Sequence, residues 1–106
     1  MKVELHEQSL RLCLDPAELH ALLGGETVEN MTRFGGVEGW GLALSLHAGE
    51  QPVLLDGGNF CRLVLPRATV QPLAEPGTAP LQQVVYLDDD STLQVQVLLA
   101  PAQSRA

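Results

Sequence analysis

The stretch SLRLCLDPAELHALLGG, from Ser9 to Gly25, decides the fold of this chain. Its first part alternates leucine with other residues, and this period of two predicts a strand with one buried face. Its second part spaces its leucines so that Leu19, Leu22 and Leu23 share one side of a helix. The stretch therefore predicts a strand that leads directly into a helix.

The boundary between the strand and the helix lies at Asp15. An aspartate at this position accepts backbone N–H groups of the first helical turn, and Glu18, three residues later, completes a capping box. Pro16 suits the first helical position, where a missing N–H has no cost. Gly24 is expected to end the helix in the left-handed conformation.

Alternating segments on both sides of this stretch predict further short strands. They include the segment around Leu42 and Leu44 and a final hairpin around Asp88, Asp89 and Asp90, and one helical turn is expected near residues 67–71. Glycine-rich connections favour hairpins between neighbouring strands. We therefore predict an α+β fold, with a largely antiparallel β-sheet of six to eight short strands and one capped N-terminal helix packed on it.

Length and composition indicate one globular domain. The chain has 106 residues, of which 45% are hydrophobic and 18% charged. A chain of this length buries a sizeable core without a disulfide bond or a metal ion. We expect one domain over residues 1–100 and a frayed C-terminal tail at 101–106. We recognise no internal repeat in the sequence.

Charge and hydrophobicity limit the partners and the compartment. The net charge is −7, with six Lys and Arg residues together, so a phosphate backbone is repelled and nucleic acid is not an expected partner. No apolar run approaches the ~20 residues that span a bilayer, and the start MKVELHEQ has no apolar signal region. We therefore expect no membrane association and a cytoplasmic location.

The opening of the chain resembles a family of short bacterial proteins of unknown function. That family opens with a hairpin carrying Ser-(Ile/Leu)-Arg-x-x-Leu, followed by a helix and a strand that ends in Phe-Gly. The matching residues here are Ser9, Leu10, Arg11, Leu14, Phe34 and Gly35. The family's final hairpin carries a Glu-Lys-Asp-Phe run, where this chain has Leu87 followed by three aspartates. The resemblance implies the order of elements and assigns no activity to any residue.

Candidate metal and catalytic residues are scattered along the chain. Zinc is held by imidazole and thiolate groups, and the available ligands are His6, His20, His47 and Cys13. None of these residues shows a paired ligand spacing. The run Asp88–Asp90 lacks the glycine and glutamate that a calcium loop needs at later positions. We predict no catalytic residue, no cofactor and no metal, with a small enzyme or metal-binding protein using these residues as the alternative.

The last strand, Thr92 to Leu99, is the candidate interface. Its alternation turns Gln94, Gln96 and Leu98 away from the core, and no charged residue guards it. If this strand is an edge, it offers unpaired backbone groups to a second copy. If it is central, its backbone is paired on both sides and Leu98 lies under the helix. We therefore predict a non-enzymatic interaction or self-associating module, with a homodimer or a protein partner. Any small-molecule ligand is unknown.

The two cysteines are expected to remain thiols. Cys13 shares its strand face with Arg11, whereas Cys61 shares its face with Leu63, so the two side chains face different environments. We predict that a reductant leaves the melting temperature nearly unchanged in a thermal scan monitored by circular dichroism. A fall of several degrees would indicate a native disulfide bond, because losing one costs ~2–5 kcal/mol.

Overall fold

The structure, a computed structural model, describes residues 1–35, 37–75, 77–87 and 89–100, and of Phe34, Val37, Glu38 and Asp56 it describes only the backbone. The predicted tail at 101–106 and Asp88 lie outside the described residues. The strands are β1 Lys2–His6, β2 Ser9–Leu14, β3 Val28–Phe34, β4 Val37–His47, β5 Val53–Asp56, β6 Phe60–Pro66, β7 Leu81–Tyr86 and β8 Thr92–Leu99. The helices are α1 Pro16–Leu23 and α2 Arg67–Val70, and a 3₁₀ helix, Gln71–Ala74, follows α2.

Helix α1 begins as the sequence predicts. The backbone N–H of Glu18 donates to Asp15 Oδ1 at 2.7 Å, and the backbone N–H of Asp15 donates to Glu18 Oε1 at 3.0 Å. The predicted capping box is therefore confirmed, with Pro16 in the first turn. The predicted end is wrong by one residue. Gly24 has φ −84°, and Gly25 takes the left-handed conformation with φ 97°.

Arg67 joins the two helices. It opens α2, the helical turn expected near residues 67–71, and its Nη1 donates to the carbonyl oxygen of Leu23 at 2.6 Å. Leu23 is the last residue of α1, so the guanidinium lies where the carbonyl groups of that helix have no partner within the helix. This contact holds the end of α1 against the start of α2.

The strands form two mixed sheets of four strands each. Sheet A has the order β1-β2-β8-β7 and sheet B the order β3-β4-β6-β5. Each sheet consists of two antiparallel hairpins whose second strands pair in parallel, β2 with β8 and β4 with β6. The fold is α+β as expected, but the prediction of one largely antiparallel sheet is wrong. The alternation of apolar and polar residues predicts the strands of each hairpin. It does not indicate which hairpins lie side by side in a sheet.

Strand β8 is an inner strand of sheet A. It pairs in parallel with β2 on one side and antiparallel with β7 on the other. Of the two alternatives left open by the sequence, the central position is therefore the observed one. Leu98 does not lie under helix α1, because Leu99 is the residue of this strand that lines a hollow together with Leu19 and Leu23.

One core lies between the inner faces of the two sheets and the helices. Its buried side chains are aliphatic, and no described polar or charged side chain is buried with them. The fully buried ones among the large side chains are Leu12, Leu14, Leu22, Leu42, Leu44, Leu63, Leu65, Val70, Val85, Val95 and Val97. Both sheets and both helices contribute, so neither sheet completes the core alone.

The fold contains an internal duplication that our reading of the sequence missed. A shift of 51 positions carries Lys2 to Val53, Ser9 to Phe60 and Pro16 to Arg67, which are the first residues of β1, β2 and α1 and of β5, β6 and α2. The 3₁₀ helix extends α2 to Ala74, as α1 extends to Leu23. Each half of the chain therefore has the order strand, strand, helix, strand, strand.

Strand pairing extends the duplication to the last two strands of each half. Gly41 pairs with Phe60 in sheet B, as Gln94 pairs with Ser9 in sheet A. Val28 pairs with Leu44, as Leu81 pairs with Val97. The shift for these strands is 53 positions, as the numbers of Val28 and Leu81 show. The second strand of each half thus pairs with the fourth strand of the other half.

Replacing Asp15 by alanine should destabilise the fold by about 1 kcal/mol, within the ~0.5–2 kcal/mol found for such caps. The substitution removes the acceptor for the Glu18 backbone N–H. Urea unfolding followed by circular dichroism measures the change in free energy. Asp15→Asn, which keeps an acceptor oxygen, is the matched control and should lose much less. Equal losses for the two variants would show that the cap hydrogen bond is not the cause.

Candidate interaction surface

The outer face of sheet B is a grid of side chains in three rows. Residues paired across the strands define each row. The first row contains Met31, Gly41 and Phe60. The second contains Glu29, Ala43, Arg62 and Leu55, and the third contains Ser45, Val64 and Val53. We call these ten residues the sheet B outer face.

This face exposes large apolar side chains. Met31 is 56% exposed, Leu55 55% and Val53 39%. Met31 and Phe60 lean towards each other over Gly41, because a Cβ atom on this glycine would lie 2.2 Å from Met31 Sδ and 2.8 Å from Phe60 Cδ1. Large apolar side chains that are exposed on one face of a folded protein are candidates for an interaction site.

The middle row carries the charges of the sheet B outer face. Glu29 and Arg62 are both exposed and lie on either side of Ala43, one strand away from it in each direction. With strands ~4.8 Å apart, their backbones are separated by roughly 10 Å. Among the described residues, no ion pair involves either side chain. The row therefore presents a negative and a positive group separated by a small residue.

The middle row of the outer face of sheet A is polar. It contains Glu4, Arg11, Gln96 and Gln82, and Arg11 Nη1 lies 3.9 Å from Glu4 Oε1. A shallow hollow of about 430 Å³ crosses this face and is lined by these four residues together with His6, Ser9 and Gln94. Leu10 and Val95 also line the hollow, and its glutamine amides and its one charge pair are able to donate and accept hydrogen bonds.

The duplication makes the two outer faces directly comparable. At matching positions, sheet A has Lys2, Glu4, Ser9 and Gln96, and sheet B has Val53, Leu55, Phe60 and Ala43. Arg11 and Arg62 match each other. Because the same backbone accepts polar residues in sheet A, folding does not require the apolar residues of sheet B. The sheet B outer face is therefore the better candidate for a docking surface.

The residues predicted as an interface lie on the outer face of sheet A. Gln94 is exposed, and Gln96 and Leu98 are half-buried. They project from an inner strand, so their backbone groups are not available to an incoming strand. Gln94 and Gln96 instead contribute amide side chains to the hollow.

The structure does not bring together the residues that the alternative of a small enzyme or metal-binding protein would use. His6 is exposed near the end of β1, His20 is exposed on α1, and His47 is half-buried at the end of β4. His47 Nε2 donates to the carbonyl oxygen of Gln51 at 2.8 Å. Cys13 lies half-buried in β2. In the described part of the chain, no group of three His, Cys, Asp or Glu side chains is placed to hold a metal ion.

The turn between β7 and β8 is acidic. Asp89 and Asp90 are both exposed there. The hydroxyl and the backbone N–H of Ser91 donate to Asp89 Oδ1, and these hydrogen bonds lower the pKa of the Asp89 carboxyl below its ordinary value. Asp89 therefore remains negatively charged at neutral pH. The third aspartate of the run, Asp88, lies outside the described residues.

The sequence contains a signal for the sheet B outer face that our reading passed over. The pattern Arg-Leu-x-Leu occurs at residues 11–14 and again at 62–65. Aligning these two segments reveals the duplication. The alignment also shows that Phe60 and Val64, on the face opposite to Leu63, are apolar where Ser9 and Cys13 stand in the first half.

Comparisons with known proteins do not assign the chain to a family. No family model matches it, and neither a curated protein nor a solved structure is significantly similar to it. The resemblance to a family of short bacterial proteins stays a prediction. In the part of the chain that the structure describes, no helix has the length and apolar character needed to cross a membrane.

Leu55→Glu tests whether folding tolerates a polar residue on this face. Glu4 occupies the matching position in sheet A, so we expect the unfolding free energy of the monomer to change by no more than ~0.5 kcal/mol. Leu54→Glu is the matched control, because Leu54 packs against the core and a charge there should cost ~2 kcal/mol or more. Urea unfolding in dilute solution measures both. A large loss for Leu55→Glu would show that Leu55 supports the fold itself.

Proposed function

We propose that this chain is a small non-enzymatic interaction module that forms a homodimer through the sheet B outer face. The observation that carries this proposal is the difference between the two outer faces. At the positions of Lys2, Glu4 and Ser9 in sheet A, sheet B has Val53, Leu55 and Phe60, so the needs of folding do not explain these three apolar residues.

The charges of the middle row favour a second copy of the chain as the partner. Consider two sheet B outer faces packed against each other, with a two-fold axis between them that runs parallel to β4 and passes over Ala43. The rotation exchanges the two sides of β4, so Glu29 of each copy faces Arg62 of the other. Such a two-fold contact is self-complementary. It gives two opposite-charge pairs, although each molecule carries a net charge of −7.

The same rotation places the first row of one copy opposite the first row of the other. Met31 of each copy faces Phe60 of the other, and sulfur–aromatic contacts of this kind are favourable. Gly41, Ala43 and Ser45 lie along the axis, but Met31 and Phe60 cover Gly41 and Ala43 is fully buried, so side chains of β3 and β6 form the contact. Sheets that pack face to face in this way lie ~10 Å apart. The contact covers β3, β4 and β6 of each copy, and β5 with Val53 and Leu55 extends past the partner's β3 at the rim.

We also propose that this module is located in the cytoplasm. Neither Cys13 nor Cys61 is in a disulfide bond, as the sequence predicts. Cysteines that remain thiols are typical of proteins in a reducing compartment. The alternative of a small enzyme or metal-binding protein has no supporting site among the described residues, because His6, His20, His47 and Cys13 do not form a ligand cluster.

The proposed interface differs from the one predicted at Gln94, Gln96 and Leu98. That prediction depended on an edge strand, and β8 is an inner strand. Its side chains lie on the outer face of sheet A. Self-association is therefore retained from the sequence-based hypothesis, and its location is moved to the opposite sheet.

Reversing one charge of the middle row should weaken the dimer. Glu29→Arg or Arg62→Glu alone places like charges opposite each other at two positions, and we expect at least a ~10-fold rise in the dissociation constant. The double variant Glu29→Arg/Arg62→Glu restores opposite charges and should associate nearly as well as the parent. Sedimentation velocity over a dilution series measures the dissociation constants.

Arg11→Glu is the matched control for these variants. Arg11 is the counterpart of Arg62 on sheet A, so this substitution changes the net charge by the same amount without touching the proposed interface. The control should leave the dissociation constant nearly unchanged. A parent chain that stays monomeric at high micromolar concentration would overturn the proposal. A double variant as weak as the single variants would place the interface elsewhere.

A further inference from the structure

We infer that β7 is a docking edge that accepts an extended segment of another protein as a fifth strand of sheet A, with a basic residue of that segment beside the acidic turn. This inference goes beyond the proposed dimer. It uses a different sheet, and it stands on the hydrogen-bonding pattern of β7 and on a comparison with its counterpart β3.

Strand β7 turns three sets of backbone groups away from its own sheet. The N–H of Leu87 donates to the carbonyl oxygen of Ser91 at 2.9 Å, which marks a hydrogen-bonded pair between β7 and β8. Such pairs alternate along an antiparallel ladder, so odd-numbered residues of β7 bond to β8. The N–H and C=O groups of Gln82, Val84 and Tyr86 therefore point to the open side.

Hydrogen bonds on the far side of β8 agree with this assignment. The N–H of Gln94 donates to the carbonyl oxygen of Gln8 at 2.8 Å, and the N–H of Ala100 donates to that of Leu14 at 2.7 Å. The backbone groups of even-numbered β8 residues thus form hydrogen bonds with β2. The backbone groups of odd-numbered β8 residues form hydrogen bonds with β7. Among the described residues, no hydrogen bond from elsewhere in the chain covers the open side of β7.

Charges that usually guard a sheet edge are absent from β7. Natural proteins protect edges with charged residues, proline or short strands. Strand β7 reads LQQVVY and carries no charge, although β1, β3 and β5 each carry at least one. Its counterpart β3 has Glu29 and Arg33 where β7 has Gln82 and Tyr86. The two edges also differ in their backbone, because β3 has a register shift between Thr32 and Phe34, whereas β7 pairs with β8 without one. Strand β7 therefore lacks both the charges and the irregularity of its counterpart.

The side chains beside this edge suit an added strand. Tyr86 is 77% exposed and Val84 37% exposed, and both lie on the outer face of sheet A next to Gln82. Aromatic and β-branched residues favour cross-strand pairs with an incoming strand. In strand addition, main-chain hydrogen bonds supply affinity, while neighbouring side-chain pockets supply specificity. The hollow that Gln82 helps to line is such a neighbour.

We take the added strand as antiparallel to β7, because antiparallel pairing is slightly more stable per residue, and the acidic turn then sets the charge of its first residues. An added strand antiparallel to β7 begins beside Tyr86 and therefore starts near Asp89 and Asp90, as β8 does on the other side. Asp89 is exposed and carries a negative charge at this end, and Ser91 donates to its carboxylate. The net charge of −7 disfavours an acidic segment as well. The partner chemistry is thus an extended, β-branched segment with a lysine or arginine at its N-terminal end.

Hydrogen exchange of the full chain with short synthetic peptides tests this inference. The first peptide alternates threonine and valine after two N-terminal lysines, the second starts with two glutamates instead, and the third carries the lysines at its C-terminus. The first should slow exchange at the amides of Gln82, Val84 and Tyr86 and leave Gln83 and Val85 unchanged. It should bind at least ~5-fold more tightly than the second at low salt, and added salt should reduce that difference.

Two proline variants and one control identify the edge. Val84→Pro removes an outward N–H without removing a bond to β8, and Gln82→Pro does the same nearer the start of the strand, where proline is tolerated best. Each should abolish peptide binding while circular dichroism shows a folded protein. If one variant does not fold, the other decides. Val84→Thr keeps the N–H and should bind like the parent.

The outcomes separate this inference from the proposed dimer. Glu29→Arg should bind the first peptide as the parent does, because sheet B takes no part. Absence of alternating protection with all three peptides overturns the docking edge. Equal binding of the first and second peptides overturns the basic end, and tighter binding of the third reverses the inferred direction. Unchanged binding to a folded proline variant places the peptide elsewhere.

Discussion

The parallel pairing of β2 with β8 and of β4 with β6 is the constraint on which the rest of the structure depends. A parallel pair cannot be closed by a tight turn and requires a crossover. In sheet A the crossover contains nearly the whole chain, since β2 ends at Leu14 and β8 begins at Thr92. Each half of the duplication therefore supplies hairpins to both sheets, and neither half forms a complete sheet by itself.

This interlocking explains why the core consists of short aliphatic side chains from every element. Leu12 and Leu14 of β2 face inward beside Val97 and Leu99 of β8, and Leu63 and Leu65 of β6 face inward beside Leu44 and Leu46 of β4. Because the inner strands of both sheets face the same core in the same way, they require the same residue types at matching positions. The inner faces of the two sheets are therefore alike. Differences between the halves are concentrated on the outer faces, where packing within the fold places little constraint on residue type.

Local features of this fold were predictable from the sequence, and non-local ones were not. The capping box at Asp15 involves residues three positions apart, so its pattern is visible in the sequence and the structure confirms it. The hairpins are equally local. The choice of neighbour for an inner strand depends on the whole chain, and alternation at Gln94, Gln96 and Leu98 is the same for an edge and for a central strand. The wrong sheet arrangement has this cause.

The candidate surface escaped prediction for a related reason. Phe60, Arg62 and Val64 alternate with Cys61 and Leu63, so the segment shows apolar residues on both faces and its outer face is not marked as polar or apolar. Only the comparison with β2 shows that outer positions of β6 are apolar where the matching position of β2 is polar, as Phe60 and Ser9 illustrate. The duplication therefore acts as an internal reference, which a sequence without homologues otherwise lacks.

The two proposed surfaces are geometrically compatible, and together they have a consequence for binding. In the proposed dimer the contact uses sheet B, which leaves sheet A and its β7 edge open on each copy. A two-fold dimer then presents two equivalent docking edges that point away from the seam. A partner with two extended segments joined by a suitable linker binds its second edge at a high effective concentration. Self-association thereby converts a weak single-strand contact into a selective one, because only partners that offer two such segments gain from it.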